Sequence, residues 1–270
     1  MPTLYVVATP IGNLEDISLR ALRTLREAKL IAAEDTRKTK RLLKAYDITT
    51  HITSYYEHNK KSKLGYILKQ LEEGDVALVS EAGTPGISDP GYELVIAARE
   101  KDIPVVAIPG PSAIITALAV SGLPADRFTY IGFLPRKSAE RQRSLQSIGD
   151  EVGTIVAFET PHRLQEALAD MLSILGDRRV SICRQLTKMH EEVFRGTISQ
   201  AQQYFNKPRG EFTLVIEGRE DKEKPKVTGD VIKQLKALKA SGAKAREAVA
   251  QVALETDLSR KEIYRAWLRL

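Results

Sequence analysis

VALVSEAGTPGISDPG, residues 76–91, is the stretch on which the fold turns. It opens as a short apolar run at 76–79 and passes without a helical segment into Gly83, Pro85, Gly86, Pro90 and Gly91. It then gives way to an apolar-periodic segment at 92–98. That order predicts a strand, a tight loop and a helix. Glycines and prolines this close together imply a fixed backbone path, partly at positive φ, along which main-chain groups approach a ligand. A plain strand-to-helix connection carries the same local signature, so the stretch by itself leaves both readings open.

The same unit recurs on either side. Residues 4–8 form an apolar run ending in Thr9-Pro10-Ile11-Gly12-Asn13, followed by leucines at helical spacing over 18–25. The run 30–33 delivers Glu34-Asp35-Thr36-Arg37. Helical patterns at 37–46 and 63–73 flank a weak strand at 51–54, and a strand at 105–108 breaks at Pro109-Gly110-Pro111-Ser112 before a helix at 113–120. This alternation predicts an open, mainly parallel sheet, with the loops at 9–13, 34–37, 81–91 and 109–113 on its carboxyl edge, where such sheets bind ligands. Beyond 128, strands at 130–134, 154–158, 180–186, 192–196 and 212–217 are less regularly separated by helices at 139–148, 161–175 and 199–205. They predict a mixed or antiparallel second sheet. REDKEKPKVTG at 219–229 reads as a linker, and helical patterns at 230–239, 243–256 and 259–270, the last with Ser259 at a cap position and Glu262 three residues on, predict a small helical module. The expectation is an α/β protein of two α/β domains, 1–112 and 113–220, with a basic helical module at 228–270.

Composition narrows the function. The single cysteine, Cys183, excludes an internal disulfide, and the four histidines lack ligand spacing, so no metal is expected. No apolar run approaches a membrane span and the N-terminus lacks signal-peptide features, which predicts a soluble, cytoplasmic protein without a membrane partner. Residues 222–270 hold twelve Lys or Arg against six Asp or Glu, whereas residues 1–221 carry 29 of each sign. The whole net charge of +6 therefore sits in the C-terminal module, as a polyanion-binding appendage or a solvated helix surface would have it.

No dinucleotide fingerprint, P-loop or nucleophile elbow is present. Polar clusters instead mark the strand ends. LYVVATPIGNLEDISLRAL at 4–22, AAEDTR at 32–37, SEAGTPGISDPG at 80–91, PGPSA at 109–113, GFLPRK at 132–137, FETPHRL at 158–164 and RQLTKMHEE at 184–192 occur in order over about 220 residues. Together they resemble the tetrapyrrole methylase family of class III S-adenosylmethionine-dependent methyltransferases, and within it the branch that methylates small-subunit ribosomal RNA.

The resemblance implies two α/β domains with S-adenosyl-L-methionine in the cleft between them, a homodimer, and methyl transfer to the ribose 2′-hydroxyl of a cytidine in 16S rRNA, presented free or in the 30S subunit. By position it implies cofactor contacts from Pro10, Gly83, Thr84, Ile87, Ser112, Ala113 and Ile114, and from Phe158, Leu186 and Thr213 in the second domain. Gly83-Thr84-Pro85 stands where other members carry Gly-Asp-Pro, and Glu81 replaces the Asp expected in this branch. Pro10-Ile11-Gly12-Asn13 departs from the first loop of members that modify tetrapyrroles. A weakly acidic ribose hydroxyl needs its proton removed as it attacks. Glu81, Glu159, Lys188 and Glu191 are the candidates, against plainer roles as a loop hydrogen-bond acceptor, an i,i+4 partner of Arg163, a phosphate contact and a solvated residue. Arg136, Lys137, Arg141 and Arg143 read equally as a second phosphate-contact patch and as a solvated helix face, and Asp35 and Arg37 as a structural or RNA-positioning pair. A small-molecule methyltransferase of the same fold and a non-catalytic RNA-binding factor are the competing readings.

Overall fold

The structure, a computed structural model, describes residues 1–220, 227–256, 258 and 260–270. It divides into two compact units, Met1–Arg219 and Glu220–Leu270. In the first unit, strands β1 (Leu4–Val7), β2 (Leu30–Ala33), β3 (Ile52–Ser54), β4 (Val76–Val79) and β5 (Val105–Ile108) make a wholly parallel sheet in the order β3-β2-β4-β1-β5.

Every residue of β2 and β4 is buried. Ala77 and Val79 pack with α1 (Leu19–Glu27) and α2 (Thr36–Ala45) on one face, while Val76 and Leu78 pack with α3 (Lys60–Glu73) and α4 (Tyr92–Glu100) on the other. Burial on both faces is why these strands read as continuous apolar runs rather than alternating ones. β1 and β4 are neighbours, yet the chain leaves β1 toward β2 and leaves β4 toward β5. Their connections diverge, opening a crevice above their carboxyl ends.

Helix α5 (Ala113–Ser121) leads into a second sheet of β6 (Phe128–Phe133), β7 (Thr154–Glu159), β8 (Arg179–Arg184), β9 (Glu192–Thr197) and β10 (Phe212–Ile216), ordered β6-β7-β10-β8-β9. Only β6 and β7 pair in parallel, so the sheet is mixed, as the irregular helix spacing implied. Helices α6 (Ser138–Ser147), α7 (Leu164–Leu175) and α8 (Ile198–Tyr204) cover one face and α5 the other.

Two expectations need correction and a third gains its detail. The strand expected over 180–186 stops at Arg184, because Gln185 and Thr187 adopt φ of 54° and 64°, a left-handed turn incompatible with a ladder. Asp35 and Arg37 form a structural pair, the first of the two roles read from the sequence, with Arg37 Nε 3.7 Å from the Asp35 carboxylate. That carboxylate caps α2 by accepting from the backbone N–H groups of Arg37 and Lys38 at 2.8 and 3.2 Å, and the Lys38 amide above all holds the carboxyl below the usual range. Arg141 is withdrawn from the phosphate-contact patch: it is 1% exposed, donates to Asp170 at 2.7 Å and reaches the carbonyls of Pro135 and Arg136. An arginine on an amphipathic helix reads as surface until the neighbouring helix that holds its carboxylate partner is known.

In the second unit, α9 (Gly229–Ala240), α10 (Ala245–Glu255) and α11 (Arg260–Leu268) close around Leu235, Val252, Ile263 and Trp267, with the Lys239 ammonium 5.5 Å from the Trp267 ring centre. Every described Lys and Arg of this unit is exposed. Residues 221–226 of the expected linker and the Ser259 cap position lie outside the described residues. Among the described residues no helix is long and apolar enough to cross a membrane.

Arg141→Ala strands Asp170 and two carbonyls between α6 and α7, and is expected to destabilise the chain by about 3 kcal/mol, the usual penalty for removing one partner of a buried pair. Arg141→Met restores the lost volume and costs less; urea unfolding of both variants checks the ranking.

Candidate active site

The loops after β1 and β4 are tied by a two-bond bridge. The Thr9 amide donates to the Gly83 carbonyl at 2.9 Å, and the Gly83 amide donates to the Thr9 carbonyl at 3.0 Å. Gly83 sits at φ 81°, a conformation that costs a glycine almost nothing and a side chain considerably more. The bridge holds both loops against a cavity of about 620 Å³, whose opposite wall comes from α5, β6, β7, β8 and β10.

Both loops are also anchored to that opposite wall. Gly12 lies so close to the turn after β8 that a Cβ there would meet Lys188 Cγ at 2.5 Å, Thr187 Oγ1 at 2.6 Å and the Leu186 carbonyl oxygen at 2.7 Å. The Asn13 amide donates to Thr187 Oγ1 at 3.0 Å. In the loop after β4, Ser88 adopts φ of 64° and its hydroxyl lies 2.6 Å from the Tyr130 hydroxyl on β6. A non-glycine residue persists in that region only where its surroundings over-determine it, and the tyrosine contact does so here.

Of the residues expected to hold a cofactor, Gly83, Thr84, Ile87, Ser112, Ala113, Ile114, Phe158, Leu186 and Thr213 all line the cavity. Pro10 does not; the loop turns so that Ile11 faces inward instead. Ser112 also caps α5, its hydroxyl accepting from the Ile115 amide. Phe158 stands between Tyr130 and Phe133, with ring centres 5.3 and 5.4 Å away, and forms an aromatic wall.

The four candidate catalytic groups separate. Glu81 and Glu159 line the cavity, Lys188 and Glu191 do not. Glu81 pairs with Lys38. Glu159 is 1% exposed, and its Oε1 accepts from the Thr160 amide at 2.6 Å and pairs with Arg163 at 2.7 Å, the i,i+4 arrangement weighed from the sequence. Burial pushes its carboxyl up, against the pull of the Thr160 amide and Arg163. Lys188 pairs with Glu211 at 2.7 Å, and Glu191 accepts from the Thr187 amide at 2.5 Å, so the left-handed turn at 185–187 commits both to its own stabilisation.

Sequence reasoning missed the cavity's charge. Glu34, Glu81, Asp89, Glu159 and Glu211 line it, and among the described residues no Lys, Arg or His does. It also passed over Tyr130, Phe133 and Asp89. Ser88-Asp89 stood out as a polar cluster, but nothing local showed that it faces the second sheet. Burial raises the Asp89 carboxyl to about 6, with the Glu34 charge adding to the shift and the Ser80 hydroxyl opposing it. Cys183 is buried and its thiol is pushed up to about 11 by burial, as a neutral core thiol. An acidic, partly aromatic cavity of this size suits a drug-sized ligand that carries positive charge.

The family model described as Tetrapyrrole (Corrin/Porphyrin) Methylases matches residues 3–202. A protein of Halalkalibacterium halodurans named Ribosomal RNA small subunit methyltransferase I is 47% identical over 269 residues, covering 97% of this chain and 93% of its own. A Thermotoga maritima protein of the same name is 51% identical over 223 residues, covering 82% of this chain and 100% of its own. Among solved structures, a uroporphyrin-III-C-methyltransferase from Thermus thermophilus is similar at a TM-score of 0.57 and 18% identity, over 80% of this chain and 94% of that one, and shares the fold.

Gly12→Ala drives a methyl group into the backbone of the turn after β8, and overpacking of this kind is expected to cost about 1–3 kcal/mol. Chemical denaturation measures the loss, and hydrogen exchange of the Asn13 amide, expected to accelerate, shows whether it arises at this contact.

Proposed function

The chain belongs to the tetrapyrrole (corrin/porphyrin) methylase family, and from that premise we propose that it transfers a methyl group from S-adenosyl-L-methionine to the ribose 2′-hydroxyl of a cytidine in small-subunit rRNA. The observation that carries this reading is the cavity at the crevice between β1 and β4, walled by carboxylates and aromatic rings and, among the described residues, lined by no basic side chain. The donor carries a sulfonium and an ammonium, so its charge complements the wall, and its purine matches the apolar surface of Ile87, Ile114, Phe158 and Leu186. When bound, it supplies an already activated methyl group.

The chain's own contribution is then alignment, exclusion of water and removal of one proton. The Thr9–Gly83 bridge presents the main chain of both loops to the ligand, and the Ser88–Tyr130 contact keeps the loop after β4 against the second sheet. The carboxylates of the cavity and the basic residues of the C-terminal unit divide the labour. The wall receives the cationic donor, while the exposed Lys and Arg side chains of the C-terminal unit attract the RNA backbone. The same reading includes a cytoplasmic location, where the substrate is made, and a homodimer. The outer edge of β5, where Ala107 is exposed, is an open strand suited to an interface, and sedimentation equilibrium decides it.

Incubation of small-subunit RNA, and separately of assembled subunits, with methyl-labelled cofactor is expected to place one label on a cytidine ribose. A label on a base, or none, defeats the reading. Deleting residues 222–270 is expected to weaken RNA binding and to flatten its dependence on salt by about 0.7 in log–log slope for each phosphate contact removed. An unchanged affinity and slope exclude this role for the unit.

A further inference from the structure

We propose that Asp89 is the catalytic residue that accepts the proton of the acceptor hydroxyl. This deepens the methyl-transfer reading above and rests on it.

The case is one of elimination among groups in the cavity wall. Glu81 is paired with Lys38 and Glu211 with Lys188, while Glu159 pairs with Arg163 through Oε1 and keeps its unpartnered Oε2 fully buried. Glu34 accepts the backbone N–H of Glu81 at 3.1 Å. The Tyr130 hydroxyl is engaged with Ser88 and burial holds it above the usual phenol range, while the Cys183 thiol is neutral. Among the described residues, Asp89 is the wall carboxylate that neither pairs with a cation nor receives a backbone N–H; its hydroxyl neighbour is Ser80.

Its placement suits the task. The residue beside it, Ser88, is locked at φ of 64° by Tyr130, so Asp89 is carried on a loop fixed to both sheets rather than on a free one. The charged and titratable groups acting on it are Glu34 at the end of β2, Glu81 on its own loop and Tyr130 on β6. Both carboxylates oppose its ionisation, as burial does, and its value of about 6 lies near the working range of a general base.

In the step, a lone pair of the acceptor oxygen forms the new C–O bond while the C–S bond breaks and its electron pair stays on sulfur, leaving a neutral thioether. The hydroxyl proton passes to a carboxylate oxygen of Asp89, which later releases it to water. Charge balances: one sulfonium and one carboxylate give two neutral groups. A cation bound nearby favours the ionised carboxylate before the reaction, and that help disappears once the methyl has moved.

The test uses the full chain and Asp89→Asn, with two readouts that do not need turnover. First, the Asp89 side-chain carboxyl carbon, assigned by its absence in the variant, is titrated by NMR. A midpoint near 6 is expected in the free protein, moving down with S-adenosylmethionine and less with the uncharged-sulfur product S-adenosylhomocysteine. Second, the sign of the stability effect is fixed. A carboxyl raised in the folded state is disfavoured in its ionised form, so Asp89→Asn raises the thermal midpoint above pH 6, and the gain vanishes as pH falls toward 4.

Under single-turnover conditions with small-subunit RNA, Asp89→Asn is expected to slow methyl transfer by about 10²–10⁴-fold and to remove the acid limb of the pH profile, with cofactor affinity by calorimetry within about threefold. A variant within tenfold of the wild-type rate, a rate loss matched by an equal loss of cofactor affinity, or a titration midpoint near 4 in the free protein each overturns the proposal while leaving the methyl-transfer reading intact. A wild-type chain that transfers no methyl to small-subunit RNA overturns both.

Discussion

Two hydrogen bonds between Thr9 and Gly83 hold together what the rest of the site requires. β1 and β4 are adjacent in the parallel sheet, but their following segments run to opposite sides, and without a tie the crevice between them would have no defined width. The bridge adds an antiparallel pairing beyond the strand ends, and the loop after β4 reaches it through Gly83 at φ 81°, a conformation open to glycine. Each bond is worth about 1 kcal/mol net, so the arrangement is a matter of geometry more than of stability. Gly12 and Ser88 then carry the two tied loops to the second sheet, and the cavity closes against β6, β7, β8 and β10.

Charge is distributed to match. The cavity wall holds five carboxylates, of which three are neutralised by Lys38, Arg163 or Lys188, leaving Glu34 on an amide and Asp89 with neither amide nor cation. Most of the acidic residues that line the site are thus part of its scaffold. The basic excess lies in the C-terminal unit, whose small core around Leu235, Val252, Ile263 and Trp267 leaves the described Lys and Arg side chains at the surface. The acidic cavity and the basic unit thus present opposite charges in different parts of one chain.

Much of this was legible in the residues. Buried β2 and β4 announced themselves as unbroken apolar runs, and nine of ten expected cofactor positions line the cavity. Those nine sit at strand ends, in glycine-proline loops or at the start of α5, where local chemistry and location coincide. Pro10, Lys188 and Glu191 fall outside because their direction depends on backbone turns of one or two residues: the bend that brings Ile11 inward and the left-handed path at 185–187. Arg141 was misread for a related reason, since its partner Asp170 is 29 residues away on the next helix.

The sequence by itself determined the alternation of elements, the parallel character of the first sheet, the loop chemistry along its carboxyl edge and the location of the charge excess. These follow from periodicity, capping and composition, which act over a few residues. Only the tertiary structure decided which carboxylates are engaged and which one is not. The pairs Glu81 with Lys38 and Glu211 with Lys188, the Glu34 contact to the Glu81 amide, and the half-burial of Asp89 near Glu34 and Tyr130 all join residues distant in the chain. The protonation of a side chain is set by what surrounds it in space, and that is known only after the two sheets have met.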